Sequence, residues 1–196
     1  MIGCGPKPIR ARAVPPDATV LALGDSLTSG VGASADTAYP AVLQQLTGWK
    51  VVNGGVSGDT SAQTLQRLPA LLQTHQPALV IVGIGGNDFL RRQSASTTRA
   101  NIHRICTDAR ASGAQVLLVA VPELSFLAAS AGLLSDHAMY EEIASELKIP
   151  LHSKGWSTVL ADASLRSDQI HANARGYARF AQGLVETLKE TGLLAR

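Results

Sequence analysis

Five short apolar runs, at residues 18–23, 50–53, 78–84, 115–121 and 149–152, constrain the fold of this chain more than any other feature. They carry Val, Ile and Leu in short runs, not an apolar–polar alternation, and such runs suit strands buried on both faces. Helix-length segments lie between them, and that alternation predicts a parallel α/β sheet. Right-handed crossovers remove most competing topologies. The expected architecture is a three-layer α/β/α, flavodoxin-like fold with five parallel strands in the order 2-1-3-4-5. In that order the carboxyl ends of strands one and three flank the switch point, where open α/β sheets place their chemistry.

The helices carry their own punctuation. Pro40 suits the first turn of a helix running to about Leu46, with Gly48 just past its end. Asp59 or Thr60 can cap a helix that presents Leu65 and Leu68 on one face. Pro69 falls inside that pattern and is expected to split it into two helices. Ser96 or Thr97 starts a helix with Ile102, Ile105 and Cys106 inward, ended by Gly113. Residues 136–148 and 173–191 read as two more amphipathic helices, the last bracketed by Asn173 and Gly192. Residues 1–17 hold four prolines and no periodicity. They read as a flexible N-terminal linker, leaving 18–196 as a single domain.

Composition removes several function classes. A net charge of +2 without a Lys/Arg cluster argues against nucleic acid as a partner, as does an aromatic content of 4%. No apolar stretch approaches the ~20 residues that span a bilayer. His75, His103, His137 and His152 are scattered without metal-ligand spacing, so no metal is expected. The glycines from Gly83 to Gly86 lack the spacing of a dinucleotide fingerprint, so no cofactor is expected either. Cys106 is most simply a small core residue. Cys4, in Gly3-Cys4-Gly5, resembles the cleavage site of a bacterial lipoprotein signal, without the apolar region that precedes one. Two readings stand side by side. In one, a lipidated Cys4 attaches a periplasmic or cell-envelope protein to a membrane; in the other, a plain tail leaves the cytoplasm open as the compartment. A monomer is favoured.

Chemistry gathers at four short blocks. Gly24-Asp25-Ser26-Leu27 follows the first strand, where a serine is held by rigid scaffold yet reaches the surface. A serine hydroxyl is a weak nucleophile until a base takes its proton, and histidine suits that task at neutral pH. Asp168-Gln169-Ile170-His171 supplies the base and a carboxylate to orient it. Read alone, this pair could equally be two ordinary loop residues. Ser57-Gly58-Asp59-Thr60 and Gly85-Gly86-Asn87-Asp88 contribute candidate donors for an oxyanion: the Gly58 N–H, the Asn87 amide and the backbone N–H of Ser26. Helix cap and turn are their plain structural roles, and both can coexist with donation. Asp25 reads as a support for the nucleophile loop, bonding nearby backbone N–H groups.

The four blocks, in this order, resemble those of the SGNH (GDSL) hydrolases over about Ala18 to the C-terminal helix. Ser57 to Thr60 followed by Arg67-Leu68-Pro69-Ala70-Leu71-Leu72, His75-Gln76-Pro77, and Gly85 to Asp88 followed by Leu90-Arg91, are similar to the bacterial arylesterase, acyl-thioesterase and lysophospholipase branch. The resemblance implies Ser26 as nucleophile and His171 as base, oriented by Asp168. It places Ser26, Gly58 and Asn87 in an oxyanion hole, and implies metal-free hydrolysis of esters, thioesters or lysophospholipids. The alternative is a carbohydrate O-deacetylase acting on cell-wall glycan with the same catalytic groups. Two features depart from the branch: the tail with Cys4, and an apolar segment from Glu123 to Leu134. That segment either lines an acyl-chain groove together with Phe89 and Leu90, or is an extra helix packed on the core.

Overall fold

The computed structural model describes residues 11–122 and 134–195. Five parallel strands form one sheet in the order β2-β1-β3-β4-β5. They are β1 (Thr19–Gly24), β2 (Lys50–Gly55), β3 (Leu79–Gly83), β4 (Gln115–Val119) and the two-residue β5 (Leu151–His152). Leu23 lies in register with Gly54 of β2 and with Val82 of β3, so β1 is paired on both sides.

Strand periodicity sorts the core into two layers. Val20, Ala22, Leu79, Ile81, Leu117 and Val119 face one side and pack on α2 (Tyr39–Thr47), α7 (Gly155–Ala161) and α8 (Ala174–Thr191). Leu21, Leu23, Val80, Val82, Val116 and Leu118 face the other side and pack on α3 (Ser61–His75), α5 (Ala95–Ala111) and α6 (Met139–Leu147). On the first side Trp156 stacks on Phe180, with ring centroids 3.7 Å apart, and Tyr39 meets both edge-on. Cys106 is buried in the second layer. Burial pushes its thiol up to about 12, which leaves it unreactive.

Two short helices, α1 (Ser26–Ser29) and α4 (Gly86–Leu90), open directly off the carboxyl ends of β1 and β3. They follow their strands after one and two residues, too short an interval for periodicity to reveal. Helix α3 corrects the expected break at Pro69: it runs unbroken through that residue. A capping box between Thr60 and Gln63 holds its start, Leu68 is fully buried, and Leu65, Leu71 and Leu72 pack against the core. These contacts outweigh the one intrahelical bond that proline forgoes.

Part of the expected linker is docked. The Ala11 and Val14 amides donate to the Thr191 and Leu193 carbonyls at the end of α8, each at 2.8 Å. Arg12 and Gln115 exchange two further bonds, and Val14 is 4% exposed. Cys4 and residues 123–133 lie outside the described residues. Leu134, the last residue of the apolar segment, packs on the α2/α7/α8 layer.

Candidate active site

The end of β1 determines where Ser26 stands. Gly24 sits so close to its neighbours that a Cβ there would lie 2.3 Å from the Gly83 carbonyl oxygen and 2.2 Å from Thr28 Oγ1. Only glycine lets β1 and β3 stay paired to this point. Asp25 then caps α1, its Oδ1 accepting the Leu27 amide at 3.1 Å, and Ser26 opens the helix half-buried at the surface.

The histidine arrives from the opposite end of the chain. After α7 and a 3₁₀ turn (Ala163–Leu165), residues 166–172 form a tight loop closed by an Arg166–Ala172 bridge and by the Ser167 amide donating to the His171 carbonyl at 3.0 Å. Asn173 caps α8 through its Oδ1 while its amide donates to the Ser164 and Arg166 carbonyls. Within the loop Asp168 Oδ1 accepts the Ile170 and His171 amides, both at 2.8 Å, and Asp168 Oδ2 lies 2.7 Å from His171 Nδ1. Partial burial alone would raise the Asp168 carboxyl, but the imidazole and the two amides outweigh it and hold the group below its usual range. An ionised carboxylate can only accept, so His171 Nδ1 carries the proton and donates it. His171 Nε2 is thereby left as an acceptor, 3.0 Å from Ser26 Oγ.

A third group closes the site. Gly58 holds φ at +85°, a left-handed conformation suited to glycine, and lines the same small pocket as Ser26, Ser57, Gly86, Asn87, Leu90, Ile170 and His171. That pocket encloses about 130 Å³. Asn87 Nδ2 donates to the Asp59 carbonyl at 2.9 Å and reaches Asp25 Oδ2 at 3.5 Å. The second contact is at the limit of hydrogen bonding, so one amide proton stays available to a bound oxygen. Behind these groups lies the fully buried Asp88, whose carboxylate takes the Ser61 amide at 2.8 Å, the Ser61 hydroxyl at 2.6 Å and the Thr98 hydroxyl at 3.2 Å. Asp25 is also buried, and the loss of solvent pushes its carboxyl up to about 7 against the opposing pull of the Leu27 amide.

The structure therefore brings together Ser26, Gly58, Asn87, Leu90, Asp168 and His171. It does not bring Phe89. Asn87 and Leu90 are three residues apart on α4 and share a face, whereas Phe89 points elsewhere, stacks on His137 at 4.9 Å and packs against the core. His137 in turn lines a larger cleft of about 670 Å³ with Leu134, Tyr140 and Leu151, which contains none of Ser26, Asp168 and His171. Leu27 and Ile170 were not singled out by sequence, yet they line the small pocket. An apolar residue wedged between the aspartate and histidine of a surface loop was the available signal for Ile170.

A hydroxyl, an imidazole and a carboxylate in hydrogen-bonded series at the switch point of a parallel sheet define a serine-dependent α/β hydrolase. More narrowly, the chain belongs to the GDSL-like Lipase/Acylhydrolase family, whose model matches residues 22–179. It is 38% identical over 177 residues to thioesterase 1/protease 1/lysophospholipase L1 of Escherichia coli K12, covering 87% of this chain and 83% of that protein. It is 32% identical over 179 residues to esterase TesA of Pseudomonas aeruginosa, covering 87% and 88%. Among solved structures, a crystal structure of TesA superposes with a TM-score of 0.78 at 31% identity, covering 88% of this chain and 99% of that one. The protein is a serine hydrolase acting on ester bonds.

Proposed function

We propose that Ser26 is the nucleophile of a two-step acyl transfer and that the physiological substrates include acyl thioesters or lysophospholipids. Ser26 Oγ attacks the substrate carbonyl carbon while His171 Nε2 takes its proton. The carbonyl oxygen becomes negative and is held by the Ser26 and Gly58 N–H groups and the Asn87 amide. The tetrahedral species then expels the leaving alcohol or thiol, which receives the proton from His171, and an acyl-serine remains. Water, deprotonated by the same imidazole, attacks that ester; the carboxylic acid leaves and Ser26 recovers its proton. Asp168 holds the imidazole in the donating tautomer and stabilises its charged form. The observation that carries this reading is the series Ser26 Oγ, His171 Nε2 at 3.0 Å, and His171 Nδ1 to Asp168 Oδ2 at 2.7 Å.

Relatives at 32–38% identity bear esterase, thioesterase and lysophospholipase names, which favours these substrates over acetylated glycan. The small pocket accommodates the reacting carbonyl and a few carbons, so a longer acyl chain would leave it over Leu90. A periplasmic or envelope location, with Cys4 as a lipid anchor, belongs to the same reading. Among the described residues no helix is long and apolar enough to cross a membrane.

The test is a panel of esters and thioesters of graded chain length, with a fluorophosphonate probe, on the wild type and Ser26→Ala. We expect wild-type turnover and covalent labelling, both abolished in a folded Ser26→Ala protein. Turnover or labelling that survives the substitution rejects Ser26 as nucleophile. Acetate release from glycan without action on longer esters would return the deacetylase reading.

A further inference from the structure

We infer that Arg67 is a positioning residue for catalysis, a single guanidinium that fixes the nucleophile strand and the oxyanion loop relative to one another. This rests on the reading of Ser26, Gly58 and Asn87 given above. Arg67 stands on α3, outside the residues that line the catalytic pocket, and its side chain is 23% exposed. Its Nη2 donates to the Gly24 carbonyl at 2.9 Å, two residues before Ser26. Its Nε donates to Asp59 Oδ2 at 2.6 Å, one residue after Gly58. The main-chain carbonyl of the same Asp59 accepts the Asn87 amide at 2.9 Å. One planar fork thus reaches the end of β1 directly, the Gly58–Asp59 turn directly, and the Asn87 amide through one intervening residue.

The physical reason for an arginine here is geometric. Gly24 ends β1 and Asp59 lies in the turn between β2 and α3, and the Gly58 bend in that turn is left-handed with no side chain to pack. The Gly24 carbonyl already accepts the Val56 amide at 3.1 Å, and Arg67 uses its second acceptor direction. Asp59 is 7% exposed and needs a partner for its charge, and Thr64 Oγ1 offers only a 3.4 Å contact. A lysine has one ammonium point and cannot hold both acceptors in a fixed relative position, whereas the guanidinium fork can. Oxyanion donors act only if they sit within a few tenths of an ångström of where charge develops, so loosening this fork moves the Gly58 and Asn87 N–H groups off target without touching substrate.

The experiment measures kcat and KM on a soluble short-chain ester for Arg67→Ala, Arg67→Lys, Asn87→Ala and the Arg67→Ala/Asn87→Ala pair. Rates are normalised to sites titrated by fluorophosphonate, so that partial unfolding does not count as lost catalysis. We expect Arg67→Ala to lose about 10- to 100-fold in kcat with KM within about twofold, less than the ~100-fold or more for removing one oxyanion donor outright. Arg67→Lys should fall between Arg67→Ala and wild type. The double variant should be little worse than Asn87→Ala, because both changes remove the same alignment and residues acting as a unit are not additive. Wild-type kcat per titrated site in Arg67→Ala overturns the inference. So does a full multiplication of the two losses, which would mean that Arg67 acts by another route. Should Arg67→Ala fail to fold, Arg67→Lys is read by the same two criteria. If instead Ser26→Ala keeps its activity, the underlying reading fails and not merely this addition to it.

Discussion

At the scale of single residues the site combines committed and poised groups. Asp168 is committed: three donors keep it ionised and the imidazole follows from that. Asp25 is poised, because burial places its carboxyl at about 7, beside the nucleophile. The unfolded group titrates near 4, so between about pH 4 and pH 7 the folded state binds the proton that the unfolded state has released. Stability from this group is therefore present at low pH and lost as pH rises to about 7. Asp25→Asn keeps the acceptor for Leu27 and removes the titration. We expect it to gain stability relative to wild type across that window, by up to about 4 kcal/mol at ~1.4 kcal/mol per pKa unit. Urea melts at pH 4.5 and pH 7.5 measure this; parallel pH dependence in the two proteins would refute it. His152, buried and held down to about 4, slopes the other way between pH 4 and 6.5, and it cancels because both proteins contain it. Much of the site was legible beforehand. Ser26, Gly58, Asn87, Asp168 and His171 all sit in short blocks with turn chemistry of their own. Phe89 lies outside the small pocket, because sequence proximity to Asn87 says nothing about which face of a one-turn helix a side chain takes.

At the scale of elements, strands were easier to read than short helices. A buried parallel strand is a continuous apolar run, so β1 to β4 announce themselves, and their ends differ from expectation by at most two residues. Helices α1, α4 and α7 have seven residues or fewer and no room for a periodic stripe. Helix α3 shows packing overriding a local breaker. Pro69 is exposed on it and lacks the N–H that would bond the Leu65 carbonyl. Pro69→Ala restores that donor, at the cost of the chain stiffness that proline lends the unfolded state. We expect a net gain of about 1–2 kcal/mol, visible as a higher Tm with kcat unchanged. A lower Tm would mean that the helix is shaped around the proline.

At the scale of the whole molecule, the candidate site and the docked N-terminal segment lie at opposite ends of the strands. Ser26, Gly58, Asn87 and His171 gather at the carboxyl ends of the strands. Residues 11–14 dock at the other end, beside the start of β4 and the end of α8. Val14→Ala removes two buried methyl groups there, and we expect a loss of about 1–2 kcal/mol in stability with turnover per folded molecule unchanged. A drop in kcat beyond the folded fraction would show that the two ends are coupled. Sequence by itself determined the strand count, the layer order and the candidates for the reacting groups, because burial periodicity and turn chemistry are local properties of the chain. The meeting of Ser26 with His171, 145 residues apart, was decided only by the tertiary structure. So were the docking of Val14 and the reach of Arg67 to two loops at once. Each depends on the relative placement of elements that share no local signal, and that placement is set by how the two core layers pack across the sheet.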